Sequence, residues 1–150
     1  MGNLPERHRP HHSIHPATQR PTLVFLTLCT RDRKRLLDNR IAHDALIDAW
    51  QSASAWRVGR YVIMPDHAHL FVTPGTPELP LVNWLKFCKR WLSAVLGANA
   101  WQDDYWDYTP RSNDSYADKW EYVRRNPERA GLVDRAEDWP YQGTLNELQW

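Results

Sequence analysis

Two imidazoles separated by a single residue, His67-Ala68-His69, form the pattern in this sequence most suited to chemistry. They lie in Tyr61-Val-Ile-Met-Pro-Asp-His-Ala-His-Leu-Phe-Val-Thr73, which reads as two short strands joined at Pro65-Asp66. Side chains alternate along a strand, so His67, His69 and Phe71 point one way and Ala68, Leu70 and Val72 the other. Neutral imidazole is the commonest protein metal ligand, so the pair supplies half of a metal site. Two hydrogen-bonded strand histidines would show the same spacing, and at this point both readings stand. A second group lies near the C-terminus, where Tyr122, Arg125, Asn126 and Arg129 share one side of a helix pattern, away from its Trp120 stripe. A phenol and a carboxamide four residues apart can both face a site there without belonging to the core. Pro127 disfavours helical backbone at Asn126. The helix is therefore expected to break, with Asn126 capping a short turn, Pro127 at its first position and Gly131 ending it. Such a break would leave the Asn126 carboxamide oxygen free. The plainer alternative is a helix cap and a half-buried aromatic.

The elements that must position these groups follow from periodicity. Leu23–Thr30 is apolar throughout and reads as a central strand. Ile41, Ala45, Ala49 and Ala53, widened by Leu46 and Trp50, predict an amphipathic helix over 40–54, with Asp38 or Asn39 as its N-cap. Arg57–Met64 is the second strand, and the histidine strand follows. Leu81, Trp84, Leu85, Cys88, Trp91, Leu92 and Val95 predict a second helix ending near Gly97. Trp101 to Arg111 reads as an extended segment or edge strand, where Pro110 is tolerated. A last helix from about residue 115 buries Tyr116, Trp120 and Val123.

Composition narrows the class. The chain has 150 residues, 42% of them hydrophobic, enough for one soluble domain with its own core. No run of about 18 apolar residues is present, so no transmembrane helix and no membrane partner are expected. The absence of a signal-type apolar segment and the presence of only Cys29 and Cys88, both in apolar runs, point to reduced thiols and the cytoplasm. Residues 1–20 are polar, with His8, His11, His12 and His15 among prolines and arginines, and read as a flexible tail ahead of a single domain over 21–150.

Net charge is only +1, so any polyanion site must come from local clusters. Arg31, Arg33, Lys34 and Arg35 make a dense basic loop at the end of the first strand, placed either as a solvated turn or to contact phosphates. Lys86, Lys89 and Arg90 gather on the second helix opposite its apolar stripe. Arg111, Arg125 and Arg129 complete the cationic set. Nine tryptophans are unusual at this length. Trp101, Tyr105, Trp106 and Tyr108 would either stack nucleic-acid bases or pack against the sheet.

Three segments together resemble a known family: Met64-Pro-Asp-His-Ala-His-Leu-Phe-Val72, Trp101-Gln102, and Tyr122-Val-Arg-Arg-Asn-Pro-Glu-Arg-Ala-Gly-Leu-Val133. This combination closely resembles the REP-associated tyrosine transposases, bacterial relatives of single-tyrosine insertion-sequence transposases in the HUH endonuclease superfamily. The similarity covers nearly the whole chain after the tail, including Phe25–Lys34 as the first strand and basic loop. A histidine pair followed about 50 residues later by Tyr-x-x-x-Asn-Pro makes it specific. The resemblance implies a ferredoxin-like α+β fold: a central antiparallel sheet carrying the histidines, helices on one face, and a C-terminal helix carrying a catalytic tyrosine. It implies His67 and His69 as ligands of a divalent metal, Mg2+ or Mn2+, with Asn126 as a third, amide ligand and Tyr122 as nucleophile.

The implied activity is metal-dependent cleavage and rejoining of single-stranded, hairpin-forming DNA through a 5′-phosphotyrosine intermediate, by a monomer or a homodimer. A free phenol has a pKa of about 10 and needs a metal or cations nearby to act as nucleophile. Two imidazoles would also suit zinc. One departure is plain: the family has an Asp-His pair where this chain has Asp107-Tyr108. That leaves a second reading, a DNA- or RNA-hairpin binding protein of the same ancestry that does not cleave.

Overall fold

The computed structural model describes residues 23–75 and 79–148, and the backbone of three two-residue strands at 6–7, 14–15 and 20–21. The tail expected over 1–20, with its four histidine side chains, therefore lies largely outside the described residues. From residue 23 on, the elements run β1 (Val24–Cys29), α1 (Arg40–Ser52), β2 (Trp56–Met64), β3 (His67–Pro74), α2 (Leu81–Leu96), β4 (Trp106–Tyr108), α3 (Asn113–Arg124), α4 (Asn126–Arg129) and β5 (Gln142–Thr144). The sheet is antiparallel with core order β4-β1-β3-β2. That is the ferredoxin-like α+β arrangement expected from the sequence. Strand β5 extends it beside β2, and Glu6–Arg7 adds an outer pair beside β4. Ile14–His15 pairs separately with Arg20–Pro21.

Alternation along the strands divides the core in two. Val24, Leu26 and Leu28 of β1 and Ala68, Leu70 and Val72 of β3 meet Leu46, Ala49 and Trp50 of α1 and Leu81, Trp84, Leu85, Cys88 and Leu92 of α2. On the opposite face Phe25, Phe71, Val62 and Met64 meet Val123, Tyr116 and Trp120 of α3 and Trp139. Three of the buried tryptophans place their indole N–H on a carbonyl: Trp56 donates to Leu79 at 2.6 Å, Trp84 to Ala53 at 2.6 Å and Trp139 to Ile63 at 2.9 Å. Gly75 packs its backbone onto the 53–55 turn, where an added Cβ would lie 2.2 Å from the Ser54 carbonyl oxygen.

Helix boundaries follow capping chemistry. Asn39 is the N-cap of α1, its side chain accepting from the Ala42 amide at 2.8 Å, and Ser112 caps α3 by accepting from Ser115 N at 3.1 Å. The helix breaks near Pro127 as expected, α3 ending at Arg124 and Gly131 following with φ +74°. The expected cap is corrected: Asn126 is the first residue of α4 rather than its cap, and Arg125, in helical backbone and without a side-chain cap hydrogen bond, precedes it.

Two further expectations need correction, and one strand appears where none was expected. Ile41 is 73% exposed, because a row spaced strictly by four drifts about 40° per step from a 3.6-residue helix. The buried stripe of α1 runs instead through Ala42, Leu46, Ala49 and Trp50. Trp91 and Val95 of α2 are about half exposed rather than core. Strand β5 has no periodic apolar signal in its Gln-Gly-Thr sequence and is formed by pairing with Arg60–Val62. The two faces of α1 predict opposite responses: in urea unfolding, Leu46→Ala should cost about 2–5 kcal/mol. Ile41→Ala should stay within about 0.5 kcal/mol.

Candidate functional site

His67 and His69 sit on β3, the strand between β1 and β2, and face α3. Thr27 of β1 lies directly opposite His69, and Cys29 opposite His67. The pairing puts the Thr27 hydroxyl 2.9 Å from His69 Nδ1. On the diagonal, the Phe25 ring stacks on the His69 imidazole with centroids 5.3 Å apart and planes 18° from parallel. The two imidazoles meet edge to face at 4.7 Å.

The other ring is oriented by the turn that precedes it. His67 Nδ1 lies 2.7 Å from the Asp66 carboxylate, the shorter of its two polar contacts; an Arg33 guanidinium nitrogen lies 3.3 Å away. The distances and charges favour Nδ1–H donating to Asp66, which leaves Nε2 as the lone-pair nitrogen. Asp66 is in turn held by Arg33 Nε at 3.0 Å. Burial raises the Asp66 carboxyl pKa, but the hydrogen bonds from Arg33 and His67 outweigh it and hold the group below its usual value. Both histidines thus spend Nδ1 on a neighbouring oxygen, and neither Nε2 has a hydrogen-bond partner among the described residues.

The loop carrying Arg33 is fastened to the same turn. The Thr30 amide and hydroxyl both donate to the Asp66 carbonyl, at 3.0 and 3.1 Å, and Leu37 N donates to the Pro65 carbonyl at 3.0 Å. Asp32 and Arg33 adopt left-handed backbone with φ of 57° and 52°, a conformation held by these contacts rather than by intrinsic preference.

Across from the pair, α3 presents Lys119, and Tyr122 follows one turn later on the same helix. Lys119 lies over the Phe25 ring at 4.9 Å and the Tyr108 ring at 5.5 Å. Tyr122 is 52% exposed and carries the Arg129 guanidinium over its ring at 3.9 Å. Arg129 also donates to the Asn126 carboxamide oxygen. That oxygen is therefore engaged, not free as the helix break suggested. Burial depresses the His69 pKa well below the ordinary imidazole value, with His67, Lys119, Arg129 and Arg33 adding positive field. Part of the His69 surface stays accessible, but the ring lies under enough protein to favour the neutral form. Burial lowers His67 as well, against the opposing Asp66 contact.

The cations expected to bind DNA fall into two sets. Arg31 pairs with Asp103, Arg33 with Asp66, Arg35 with Asp38, and Arg125 with Glu121 and Glu128. Lys89 donates to the Gln102 carbonyl at 2.8 Å, and Arg129 is committed to Asn126 and Tyr122. Lys34, Lys86, Arg90 and Arg111 are exposed and have no side-chain partner among the described residues. Of the aromatics expected to stack bases, Trp101 and Tyr105 are buried in the core, while Trp106 and Tyr108 are half-buried. Sequence reasoning missed Phe25, Thr27, Asp66 and Lys119. Strand pairing alone brings the first two to His69. Asp66 adjoins His67, and Lys119 precedes Tyr122 by three residues, a spacing that could have found it.

The depressed imidazoles set a sign for pH. Both have folded pKa values below their unfolded value of about 6.5, so below that pH the unfolded chain binds more protons and the fold loses stability as pH falls. The urea midpoint of metal-free protein should drop from pH 7 to pH 5. His69→Asn should flatten that slope; an unchanged slope would contradict the assignment.

No protein-family model matches the chain. A REP-associated tyrosine transposase of Escherichia coli K12 is 25% identical over 87 residues, covering 57% of this chain and 53% of that protein. A Haemophilus influenzae protein provisionally given the same name is 26% identical over 107 residues, 58% of each chain. The chain thus spans little more than half the length of the curated relatives it matches. Among solved structures, a REP-associated tyrosine transposase bound to a REP hairpin superposes with a TM-score of 0.69 at 23% identity, covering 82% of this chain and 76% of that one. A structure described as a transposase from Deinococcus radiodurans gives a TM-score of 0.50 at 22% identity, covering 70% of this chain and 90% of that one. The resemblance read from the sequence is met by curated relatives and by a shared fold: this chain is similar to the REP-associated tyrosine transposases.

Proposed function

We propose that this protein is a metal-dependent single-stranded DNA endonuclease and strand transferase, acting at hairpin-forming sequences through a 5′-phosphotyrosine on Tyr122. One observation carries the reading. Two imidazoles with committed Nδ1 atoms and bare Nε2 atoms share the sheet face covered by the helix that displays an exposed tyrosine. The relatives' names point the same way.

The donor set fits a divalent ion. Burial keeps both imidazoles neutral, as ligation requires. Hydrogen bonds from the imidazole Nδ1 atoms to the Asp66 carboxylate and the Thr27 hydroxyl oxygen would give the outer support that usually orients ligating histidines. Among the described residues no three His, Cys, Asp or Glu side chains gather as a metal site, so further donors must be an amide, water or the substrate. Asn126 would be the amide, once its oxygen exchanges Arg129 for the ion. When bound, Mg2+ or Mn2+ would polarise the scissile phosphate and act as a template.

The remaining steps belong to the chain's own groups. Tyr122 Oη attacks phosphorus, the phenolic proton leaves to solvent, and the bond to the 3′-oxygen breaks as that oxygen takes up a proton. The DNA 5′-phosphate is left on Tyr122. No electrons are exchanged, and the retained ester allows rejoining without a nucleotide cofactor. Arg129, stacked on the Tyr122 ring, places a cation beside the phenol, where it would also meet the phosphate under attack. Lys119 adds a second cation near His69.

Incubating the protein and Mn2+ with a labelled single strand bearing a palindromic hairpin should give a covalent adduct that survives denaturing electrophoresis. Tyr122→Phe and chelation should each abolish it. An adduct that persists in Tyr122→Phe would overturn the assignment, and salt-sensitive hairpin binding without adduct under any metal would favour a non-cleaving binding protein.

A further inference from the structure

The outer face of α2 carries a feature that the site on the opposite sheet face does not use. Phe87, Trp91 and Val95, at successive spacings of four, are 43%, 48% and 49% exposed. The Phe87 and Trp91 rings lie 6.0 Å apart with planes tilted by 37°. Lys86 and Arg90 run beside them on the same helix, exposed and without ion-pair or hydrogen-bond partners for their side chains among the described residues. No acidic residue occurs in α2 to neutralise them. Most arginines elsewhere on the described surface are held in ion pairs, among them Arg31, Arg33, Arg35, Arg124, Arg125 and Arg135.

Aromatic rings interleaved with uncompensated cations suit a flexible polyanion that also presents flat apolar faces, which describes single-stranded DNA. A second copy of this chain fits less well, because a two-fold contact would bring the same unpaired Lys86 and Arg90 face to face. The patch is also joined to the histidine site around the end of the sheet. Lys89, on the same helix, donates to the Gln102 carbonyl, and Gln102 donates to the Thr30 carbonyl. Thr30 roots the loop whose Arg33 holds Asp66 beside His67. A strand cut at the sheet face could thus continue over the basic loop onto α2.

We propose that the outer face of α2 is a stacking platform for single-stranded DNA, with Phe87 and Trp91 taking bases and Lys86 and Arg90 the adjoining phosphates. This rests on the DNA-cleaving reading above and names where the substrate strand is held outside the reaction centre.

The test is fluorescence anisotropy of a labelled oligothymidine in EDTA, so that binding is read without cleavage. Trp91→Ser should weaken binding about 5- to 100-fold, and Phe87→Ser should act in the same direction. Ile41→Ser, at an exposed apolar residue on α1, should bind as wild type. Changing Lys86 and Arg90 to Gln should lower the slope of log affinity against log salt by about 0.7 per charge, while Trp91→Ser leaves the slope alone. The platform is overturned if Trp91→Ser and Phe87→Ser bind like wild type. It is equally overturned if Trp91→Ser dissociates a dimer in sedimentation with single-strand affinity intact. The two readings fail separately: a wild type that binds but forms no Tyr122 adduct sinks the cleavage reading alone, and one that forms adduct while Trp91→Ser binds normally sinks the platform alone. A wild type that binds no single strand sinks both.

Discussion

The pairing of β1 with β3 is the constraint on which everything else depends. It runs unbroken from Val24 opposite Val72 to Cys29 opposite His67. Because side chains alternate, a slip of one residue would send His67 and His69 into the core under α1 and α2 and put Ala68, Leu70 and Val72 on the α3 face. Two buried imidazoles without partners are costly, and three apolar side chains would lose their packing. The complete burial of Ala68, Leu70 and Val72 therefore fixes where the histidines point. The same register supplies Thr27 and Phe25 to His69. The hydrophobic alternation that folds the sheet also orients the candidate ligands.

A second dependence runs through Asp66. One carboxylate joins Arg33 to His67, while the backbone of its turn accepts from Thr30. The basic loop is thereby anchored to the histidine strand, and the left-handed backbone at Asp32 and Arg33 is held in place. Charge alone is a poor guide to what such a loop does. Arg31, Arg33 and Arg35 are engaged internally, and of the four cations in the run Lys34 alone lacks a side-chain partner among the described residues. Among the described residues, exposed cations without a side-chain partner include Lys34, Arg40, Lys86, Arg90 and Arg111, on several different elements.

Much of the fold was legible because its signals are periodic. The apolar run at 23–30, the two-residue alternation around the histidines and the Leu81–Leu92 stripe each specify one element, and the Asn-Pro pair marks the helix break. What was not legible depends on tertiary pairing. Gln142–Thr144 becomes a strand only because Arg60–Val62 offers an open edge. Ile41 and Ala42 differ by one position in helical phase, which composition does not resolve. In the site, the histidine pair and Tyr122 could be singled out from type and spacing. The engagement of the Asn126 oxygen could not, since it depends on where Arg129 folds back after the break. Trp101 and Tyr105 were ambiguous between stacking and packing, and only the position of the 97–105 segment under the core decides for packing.

Cleavage as proposed requires α3 to bring a nucleophilic tyrosine to the histidine strand. Its most direct measurement is mass spectrometry of peptides after the protein has reacted with a hairpin-bearing single strand and Mn2+, followed by nuclease digestion. Residual nucleotide mass is expected on the peptide containing Tyr122, and none in protein carrying His67→Asn and His69→Asn. Nucleotide found on Tyr108 or Tyr116 instead, or modification of Tyr122 undiminished without the histidines, would contradict it.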